Sequence, residues 1–400
     1  MKTANRILTT HVGSLIRPPE LIEWLIKEQN GEAFDRRAMD ECLARSVDEV
    51  VRHQHEVGID IVSDGEFGKS IAWSMYVVKR LSGIELRTDV QLDPAKVFAG
   101  KDRKDFAEFY AEYEATTGPF GLGTKYRPPP GTFVVTDTIV YTGHAALQAD
   151  IQRLKTAMAK NSVSRGFLPV VAPISASPYL VDHFYGNEDA LLFGLADALH
   201  DEYKAIIDAG LDVQIDDAFL ASQYDAMVPP KTLSEYRRWA QTGIEALNHA
   251  LRGIPPERVR YHVCWGSWNA PHCSDVPLKD IVDLILQARV GGYSLEMANP
   301  RHEHEWRVWE SVKLPDGKRL FPGVVTHSTN VVEHPELVAE RIVRLANLVG
   351  RDNVVASTDC GFAQGPLARR VHPSVMWAKL DALAQGARLA SSTLWVRSAA

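Results

Sequence analysis

The stretch Ile59-Asp60-Ile61-Val62-Ser63-Asp64, running on into Gly65-Glu66, decides how the rest of the chain is read. It is a short apolar run that starts straight after Gly58 and delivers carboxylates to its C-terminal end. Ahead of it, Cys42, Leu43, Val47, Val50 and Val51 recur at the three-and-four spacing of one helix face. Asp35 is placed as an N-cap and Gly58 as a stop, so a helix is expected over residues 35–57. Ahead of that, residues 7–14 form a β-rich run ended by Gly13-Ser14 and broken by Arg17-Pro18-Pro19. Strand, helix, strand in that order makes the two strands parallel, because a helical crossover brings the chain back in its original direction.

The alternation then breaks and resumes. Residues 85–150 hold a charged stretch at 101–114, the loop sequence Gly118-Pro119 through Pro128-Pro129-Pro130-Gly131, and a β-branched run at 132–141. A segment of that length between regular units is expected to be an ordered excursion over the mouth of the fold. From residue 167 the rhythm returns. Strand-like runs at 168–173, 211–216, 261–264, 293–296, 320–325 and 354–356 alternate with helices expected at 188–209, 234–252, 278–290, 335–349 and 373–389. Eight strand-like runs with mostly helical connections predict an α/β protein, a (β/α)8 TIM barrel. One catalytic barrel is expected over residues 1–400, with an insertion after the second strand at about 85–150. The competing open doubly wound sheet would carry a glycine-rich phosphate loop after its first strand, and none is present.

Four residues end these runs with metal-binding side chains: His262 and Cys264 in Tyr261-His262-Val263-Cys264-Trp265-Gly266, Glu296 in Ser294-Leu295-Glu296-Met297, and Cys360 in Thr358-Asp359-Cys360-Gly361. Residues two apart on a strand share a face, so His262 and Cys264 can grip one ion. The C-terminal strand ends are where a barrel of this kind builds its site. One imidazole, two thiols and one carboxylate are donors that a tetrahedral zinc takes. Singly, each has a plainer reading: a buried cysteine as a small hydrophobe, a histidine bonded in the core, a glutamate paired with arginine. Their common position in four units favours zinc.

Composition excludes several classes. A net charge of -7 with a pI near 6.1 argues against a nucleic-acid or anionic-membrane surface. No run approaches the roughly 18 apolar residues of a membrane span, and the start of the chain shows no apolar signal-peptide core. Four cysteines, Cys42, Cys264, Cys273 and Cys360, do not make a disulfide framework in 400 residues, so the reducing cytoplasm is the expected compartment. An oligomer is left open.

Taken in order, Thr10-His11-Val12-Gly13-Ser14-Leu15-Ile16-Arg17-Pro18, Asp64-Gly65-Glu66, Gln214-Ile215-Asp216, His262-x-Cys264, Leu295-Glu296, His327-Ser328-Thr329-Asn330 and Asp359-Cys360-Gly361 resemble the catalytic barrel of the cobalamin-independent methionine synthase family. The resemblance runs from residue 7 to beyond 360 and is nearest to the short, single-barrel branch, to which epoxyalkane:coenzyme M transferases are related. It implies that His262, Cys264, Glu296 and Cys360 are zinc ligands. Glu66 and Asp216 would hold the amino group of homocysteine, and Ser14 would lie in the loop that receives its carboxylate. His327 would deliver a proton during transfer. Tyr179 stands where the long enzyme offers a tryptophan to the pterin, and Asp216-Asp217-Ala218 stands for the family's Asp-Glu-Pro.

The activity implied is transfer of a methyl group to a zinc-bound thiolate, homocysteine becoming methionine, with a methyl-tetrahydrofolate as one candidate donor. The alternative keeps the zinc and joins a thiol such as coenzyme M or glutathione to an epoxide or another activated alkyl carbon, with Arg17 near the mouth binding an anionic tail. Either way the partners are a small thiol and an alkyl donor. A non-catalytic zinc-binding protein would instead show a closed metal site. Outside the main set, Cys273 with His272, and His302 with His304, are weaker metal candidates in polar loop sequence, and Asp217 either supports Asp216 or caps the following loop.

Overall fold

The computed structural model describes residues 5–92, 100–118, 121, 123 and 130–395. Its strands in chain order are β1 (Leu8–Thr9), β2 (Leu81–Arg87), β3 (Thr132–Tyr141), β4 (Phe167–Val171), β5 (Leu180–Asp182), β6 (Asp212–Asp217), β7 (Val259–Val263), β8 (Gly292–Leu295), β9 (Arg319–Val325) and β10 (Val355–Thr358). Seven of them make one parallel sheet in the order β1-β10-β9-β8-β7-β6-β4. The two free edges, β1 and β4, are joined by residues 60–62. There Asp60 N and Ile61 N donate to Thr9 O at 3.1 Å, Val62 N to Arg165 O at 3.2 Å and Phe167 N to Val62 O at 2.9 Å. The run that opened the sequence reading thus occupies the eighth place in a curled α/β ring. It forms a bridge rather than a regular strand, because two of its amides converge on one carbonyl.

The helix Arg36–Glu56 begins where Asp35 accepts from Ala38 N and buries Met39, Cys42, Leu43, Val47, Val50 and Val51. Gly58, at φ +95°, turns the chain back to the sheet, a conformation that a residue with a Cβ resists. The connection expected to be helical over 278–290 contains only a 3-10 turn, Leu278–Asp280, and one α turn, Val282–Ile285. Its buried residues Leu278, Ile281, Val282, Leu284, Ile285 and Ala288 and its exposed Lys279, Asp283 and Gln287 keep the spacing of a helix face, but the chain is broken into two short turns.

Alternation along the strands divides two environments. Val213, Ile215, Val259, Tyr261 and Tyr293 join the core against the helices. The residues between them, Gln214 and Asp216 on β6, Arg260 and His262 on β7 and Ser294 on β8, are buried polar groups on the other face. Register aligns them, Gln214 beside Arg260 and Asp216 beside His262 beside Ser294. Arg260 spans the ring: its Nη1 donates to Thr10 Oγ1 at 2.9 Å, its Nη2 to His11 O at 2.7 Å, and its Cζ lies 3.4 Å from the Phe167 ring centroid. Ile61, Phe167, Phe321 and Val355 form an apolar floor around it.

The excursion expected at about 85–150 begins with β2 at Leu81. β2 pairs antiparallel with β3, and β3 takes β5 from the loop after β4 to make a small second sheet. Helices Lys101–Asp105 and Ala107–Thr117 lie within the excursion, whereas the helix His144–Lys160 packs beside Arg36–Glu56. A buried carboxylate pins the excursion to the ring. Glu202, on the helix Glu188–Asp208, accepts from Tyr76 OH at 2.9 Å, Arg80 Nη1 at 2.9 Å and Tyr141 OH at 3.2 Å. No described helix is long and apolar enough to cross a membrane.

Replacing Glu202 with Ala strips three donors of their acceptor, although Arg80 keeps Asp150 at 2.5 Å. The expected loss is about 3 kcal/mol of unfolding free energy, at the lower end for a broken buried ion pair. Urea denaturation of the variant measures it, and a change below about 0.5 kcal/mol would refute the pinning role.

Candidate functional site

Three strand ends bring His262, Cys264 and Cys360 together, with one ligand atom from each lying within 4.8 Å of the others, all buried. His262 belongs to β7, Cys264 follows it directly and Cys360 comes two residues after β10. The His262 ring is oriented by Nδ1, which meets Ser294 O at 3.3 Å and Ser294 Oγ at 3.2 Å, while the buried Nε2 has no partner. Burial holds the ring's pKa down to about 3, so it is a neutral imidazole with a bare lone pair on Nε2. Cys264 Sγ and Cys360 Sγ are 3.3 Å apart, too far for a disulfide. Tetrahedral bonds of about 2.3 Å to one zinc would set two sulfurs about 3.8 Å apart, so a small opening accommodates an ion. The hydrogen bond to Cys360 and burial together push the Cys264 thiol well up; at Cys360 the hydrogen bond from Cys264 pulls the other way, and burial with the charges of Glu296 and Asp216 still leaves that thiol raised. Without a cation both sulfurs stay protonated.

Glu296 lies beside this trio but outside it. Its Oε1 accepts from Trp265 N at 2.9 Å and its Oε2 from Asn299 Nδ2 at 2.8 Å, which straps the loop after β7 to the loop after β8. Burial pushes its carboxyl up to about 7. Asp359 ties in the third loop: its Oδ1 accepts from Met297 N and Ala298 N, both at 2.8 Å, and its Oδ2 from Asn299 Nδ2 at 3.1 Å. Gly323 on β9 is required there, since a Cβ would stand 2.0 Å from Asp359 Oδ1.

A cavity of about 400 Å³ opens over the trio and is also lined by Ser14, Glu66, Asp216 and Tyr179. Glu66 is held at φ +60° by the turn that follows Val62, where Gly65 N donates to Ser63 Oγ at 3.0 Å and Glu66 N to Asp64 Oδ1 at 2.9 Å. Burial and the neighbouring Glu66 push Asp216 well above the usual carboxyl range, although Gln214 Nε2 donates to it at 2.6 Å. Lys69 Nζ, 3.4 Å from Glu66 Oε2, balances part of the pair's charge. Ser14 Oγ donates to Ala363 O and accepts from Ala363 N at 3.1 Å, which binds its loop to the one after Cys360. The far wall is aromatic, with Trp73, Tyr110, Phe133, Tyr179, Phe219 and Trp268. Tyr179 meets Phe219 edge-on at 5.6 Å between centroids.

Two expected site residues lie off this wall. Arg17 does not stand at the mouth: it is buried, donating from Nη2 to Glu66 O and, at 3.2 Å, to Lys69 O, because the Gly65–Glu66 turn presents carbonyls to it. His327 is buried off the cavity wall against the Ser267 backbone, with Nδ1 unpartnered. Burial and the charge of Arg370 hold its pKa down to about 3. The weaker metal candidates are otherwise engaged. His302 sits between Asp275 and Glu305, each at 3.0 Å, and His272 bonds Asp275 at 3.1 Å, while the Cys273 side chain is exposed. Asp217 accepts from Tyr261 OH, Ser175 Oγ and Leu220 N, which makes it a cap for the helix Phe219–Met227. Sequence reasoning missed Arg370, Lys69, Asn299 and the role of Asp359. The acidic residue next to Cys360 was the one local signal, and the rest meet the site only through space.

Residues 135–377 match the family described as the catalytic domain of cobalamin-independent synthases. A methionine synthase of Saccharolobus solfataricus is 24% identical, over 96% of this chain and 95% of its own. A 2-hydroxypropyl-CoM lyase of Xanthobacter autotrophicus is also 24% identical, over 93% of this chain and 90% of its own. Among solved structures, a B12-independent methionine synthase from Shewanella sp. W3-18-1, in complex with selenomethionine, superposes with a TM-score of 0.71. It covers 97% of this chain and 99% of its own at 19% identity, which establishes the likeness of fold.

If the trio is a metal centre, Cys360→Ser should lose most of its bound metal on purification and Cys273→Ser should keep it. The hydroxyl cannot replace a thiolate's charge and softness, and Cys273 lies outside the trio. Elemental analysis of both variants decides this, with circular dichroism checking that the fold survives. Full metal in Cys360→Ser would show that the wrong sulfur has been assigned.

Proposed function

Because the chain belongs to the cobalamin-independent methionine synthase family through its catalytic domain, we propose that it is a zinc-dependent S-methyltransferase that moves a methyl group onto a thiolate, homocysteine becoming methionine. The observation that carries this is the bare Nε2 of His262 beside two thiols at the floor of an open cavity. A closed structural metal site leaves no such room for a substrate sulfur. Zinc bound there would turn a substrate thiol, with an ordinary pKa of about 8.5, into a nucleophilic thiolate at neutral pH.

In this proposal the chain's own groups do the rest. His262, Cys264 and Cys360 hold the ion, and Glu296 keeps their loops in place or exchanges its hydrogen bonds for the fourth position. Glu66 and Asp216 receive the ammonium group, which relieves their mutual repulsion. The Ser14 loop closes over the carboxylate end. His327 supplies the proton that the leaving group needs; the negative charge entering with the substrate thiolate raises its pKa from about 3. Free thiols at the site suit the cytoplasm. Methyl-tetrahydrofolate is the donor this reading puts against the aromatic wall.

The second reading, transfer of an alkyl group from an epoxide or another activated carbon to a thiol such as coenzyme M or glutathione, is favoured by that same wall. It is apolar, it carries Tyr179 where the long synthases are expected to have tryptophan, and a comparably similar relative is named as a 2-hydroxypropyl-CoM lyase. Both readings share the thiolate and differ in donor. Incubating the zinc-loaded protein with homocysteine and methyl-tetrahydrofolate, and separately with thiol and epoxide pairs, separates them. Methionine formation supports the first, thioether from an epoxide supports the second, and no product from any pair refutes both.

A pH profile tests the ammonium site. Asp216 is pushed up when empty, and binding a cation favours its ionised form. Homocysteine affinity should therefore rise as pH rises through the raised pKa, with a proton released on binding. Thiol ionisation adds its own slope, so the measurement is the difference between homocysteine and an ammonium-free thiol by titration calorimetry. Asp216→Asn should abolish that difference and weaken homocysteine about ten-fold or more. An unchanged difference would remove Asp216 from the ammonium site.

A further inference from the structure

Arg370 is a buried cation on the cavity wall that the functional reading above does not use. After Cys360 the chain folds back on itself. Gln364 N donates to Ala368 O at 3.1 Å, Ala363 and Arg369 form an antiparallel bridge, and Arg370 N donates to Phe362 O at 3.0 Å, two residues from Cys360. From there the side chain crosses to the loop after Cys264. Its Nη2 meets Ser267 Oγ at 3.4 Å, its Nη1 meets Gly121 O at 3.2 Å, and its Nε has no partner. The guanidinium therefore links the loops that carry the two sulfurs.

Three other cations have carboxylate partners of a kind that Arg370 lacks among the described residues. Lys69 has Glu66, Arg103 has Glu114, and His302 has Asp275 and Glu305. Among the described residues no ion pair includes Arg370; the groups whose negative charge would favour its own are Tyr113, Cys360 and Cys264. A buried guanidinium without a carboxylate is costly unless something else brings negative charge to it. A divalent ion on two thiolates and a neutral imidazole is electrically neutral. One further thiolate makes the assembly a monoanion.

We propose that Arg370 is the counter-charge for that added thiolate, a positioning residue that sets the affinity of the site for a thiol whatever the thiol's tail. The inference rests on the zinc–thiol reading and adds to it that thiol affinity is governed at the sulfur. The alternative role for such an arginine, recognition of a carboxylate or sulfonate tail, makes a different prediction, because a neutral thiol would then be indifferent to its loss.

The experiment uses the full chain loaded with Co2+ in place of Zn2+. Binding of 2-mercaptoethanol, 2-mercaptoethanesulfonate and homocysteine is followed by the sulfur-to-metal charge-transfer band and by calorimetry. Arg370→Gln is expected to keep one equivalent of metal and to weaken all three thiols by about 30-fold or more, the usual scale for removing one partner of a buried charge pair. Arg370→Lys is expected to restore most of the affinity. Equal binding by Arg370→Gln and wild type overturns the inference, as does weakening confined to the thiol with an anionic tail. Loss of metal from Arg370→Gln also overturns it, since the neutral site needs no added positive charge. Should Arg370→Gln fail to fold, Arg370→Lys decides alone, because lysine keeps the charge without the planar donor pattern. Affinity within about three-fold of wild type then supports the inference, and a loss beyond about 30-fold overturns it. Wild-type protein that takes up no thiol would refute the zinc–thiol reading itself; wild type that binds while the variant binds equally refutes only the role of Arg370.

Discussion

The three loops that form the site are held by two buried carboxylates, Asp359 and Glu296. Asp359 accepts two backbone amides, Met297 N and Ala298 N, and shares Asn299 Nδ2 with Glu296, which in turn accepts from Trp265 N. Hydrogen bonds to a buried charged acceptor contribute roughly 1.5–3 kcal/mol each. The chain of contacts therefore costs more to break than the thermal motion of any single loop supplies. Cys360 follows Asp359 directly, Cys264 precedes Trp265 directly, and so the two sulfurs inherit their separation from this pair of carboxylates. Removing the side chain at position 323 makes the arrangement possible, since only glycine leaves space for Asp359 between β9 and β10.

The strap explains why Glu296 is engaged in hydrogen bonds rather than presented with the sulfurs. A carboxylate in a buried position is stable when each oxygen has a donor, and Trp265 and Asn299 provide them. His262 is built the opposite way, with one nitrogen oriented by Ser294 and the other left bare at considerable cost. A fold tolerates an unsatisfied lone pair of this kind where a ligand repays the cost. The contrast between a satisfied Glu296 and an unsatisfied His262 is the physical content of the candidate metal centre.

Charge is distributed across the cavity in a matching way. Glu66 and Asp216 repel each other, and Arg370 on the same cavity has no carboxylate partner among the described residues. Burial raises the cost of both, because water is not there to screen them. The ring beneath also holds a buried cation, Arg260, which is spread over Thr10, His11 and the Phe167 face.

The sequence by itself determined the alternation of parallel strands and helices, and with it the end of the ring on which Glu66, Asp216, His262, Cys264 and Cys360 would fall. These are local properties: period, caps, stops and a spacing of two residues on a strand are all set by neighbours in the chain. The helix ending at Gly58, with Asp35 as its cap, and β3 over Thr132–Tyr141 were legible for that reason. Over 278–290 the buried residues keep a helical period, and only the tertiary structure decided that this stretch is two short turns and not one helix. The tertiary structure alone also decided that Arg17 braces the Glu66 turn instead of facing the mouth, that Glu296 is tied to Trp265 and Asn299, and that Arg370 reaches across to Ser267 in the loop after Cys264. Each of these depends on which loops meet across the ring, a matter of packing between residues far apart in the chain, for which no local pattern carries a sign.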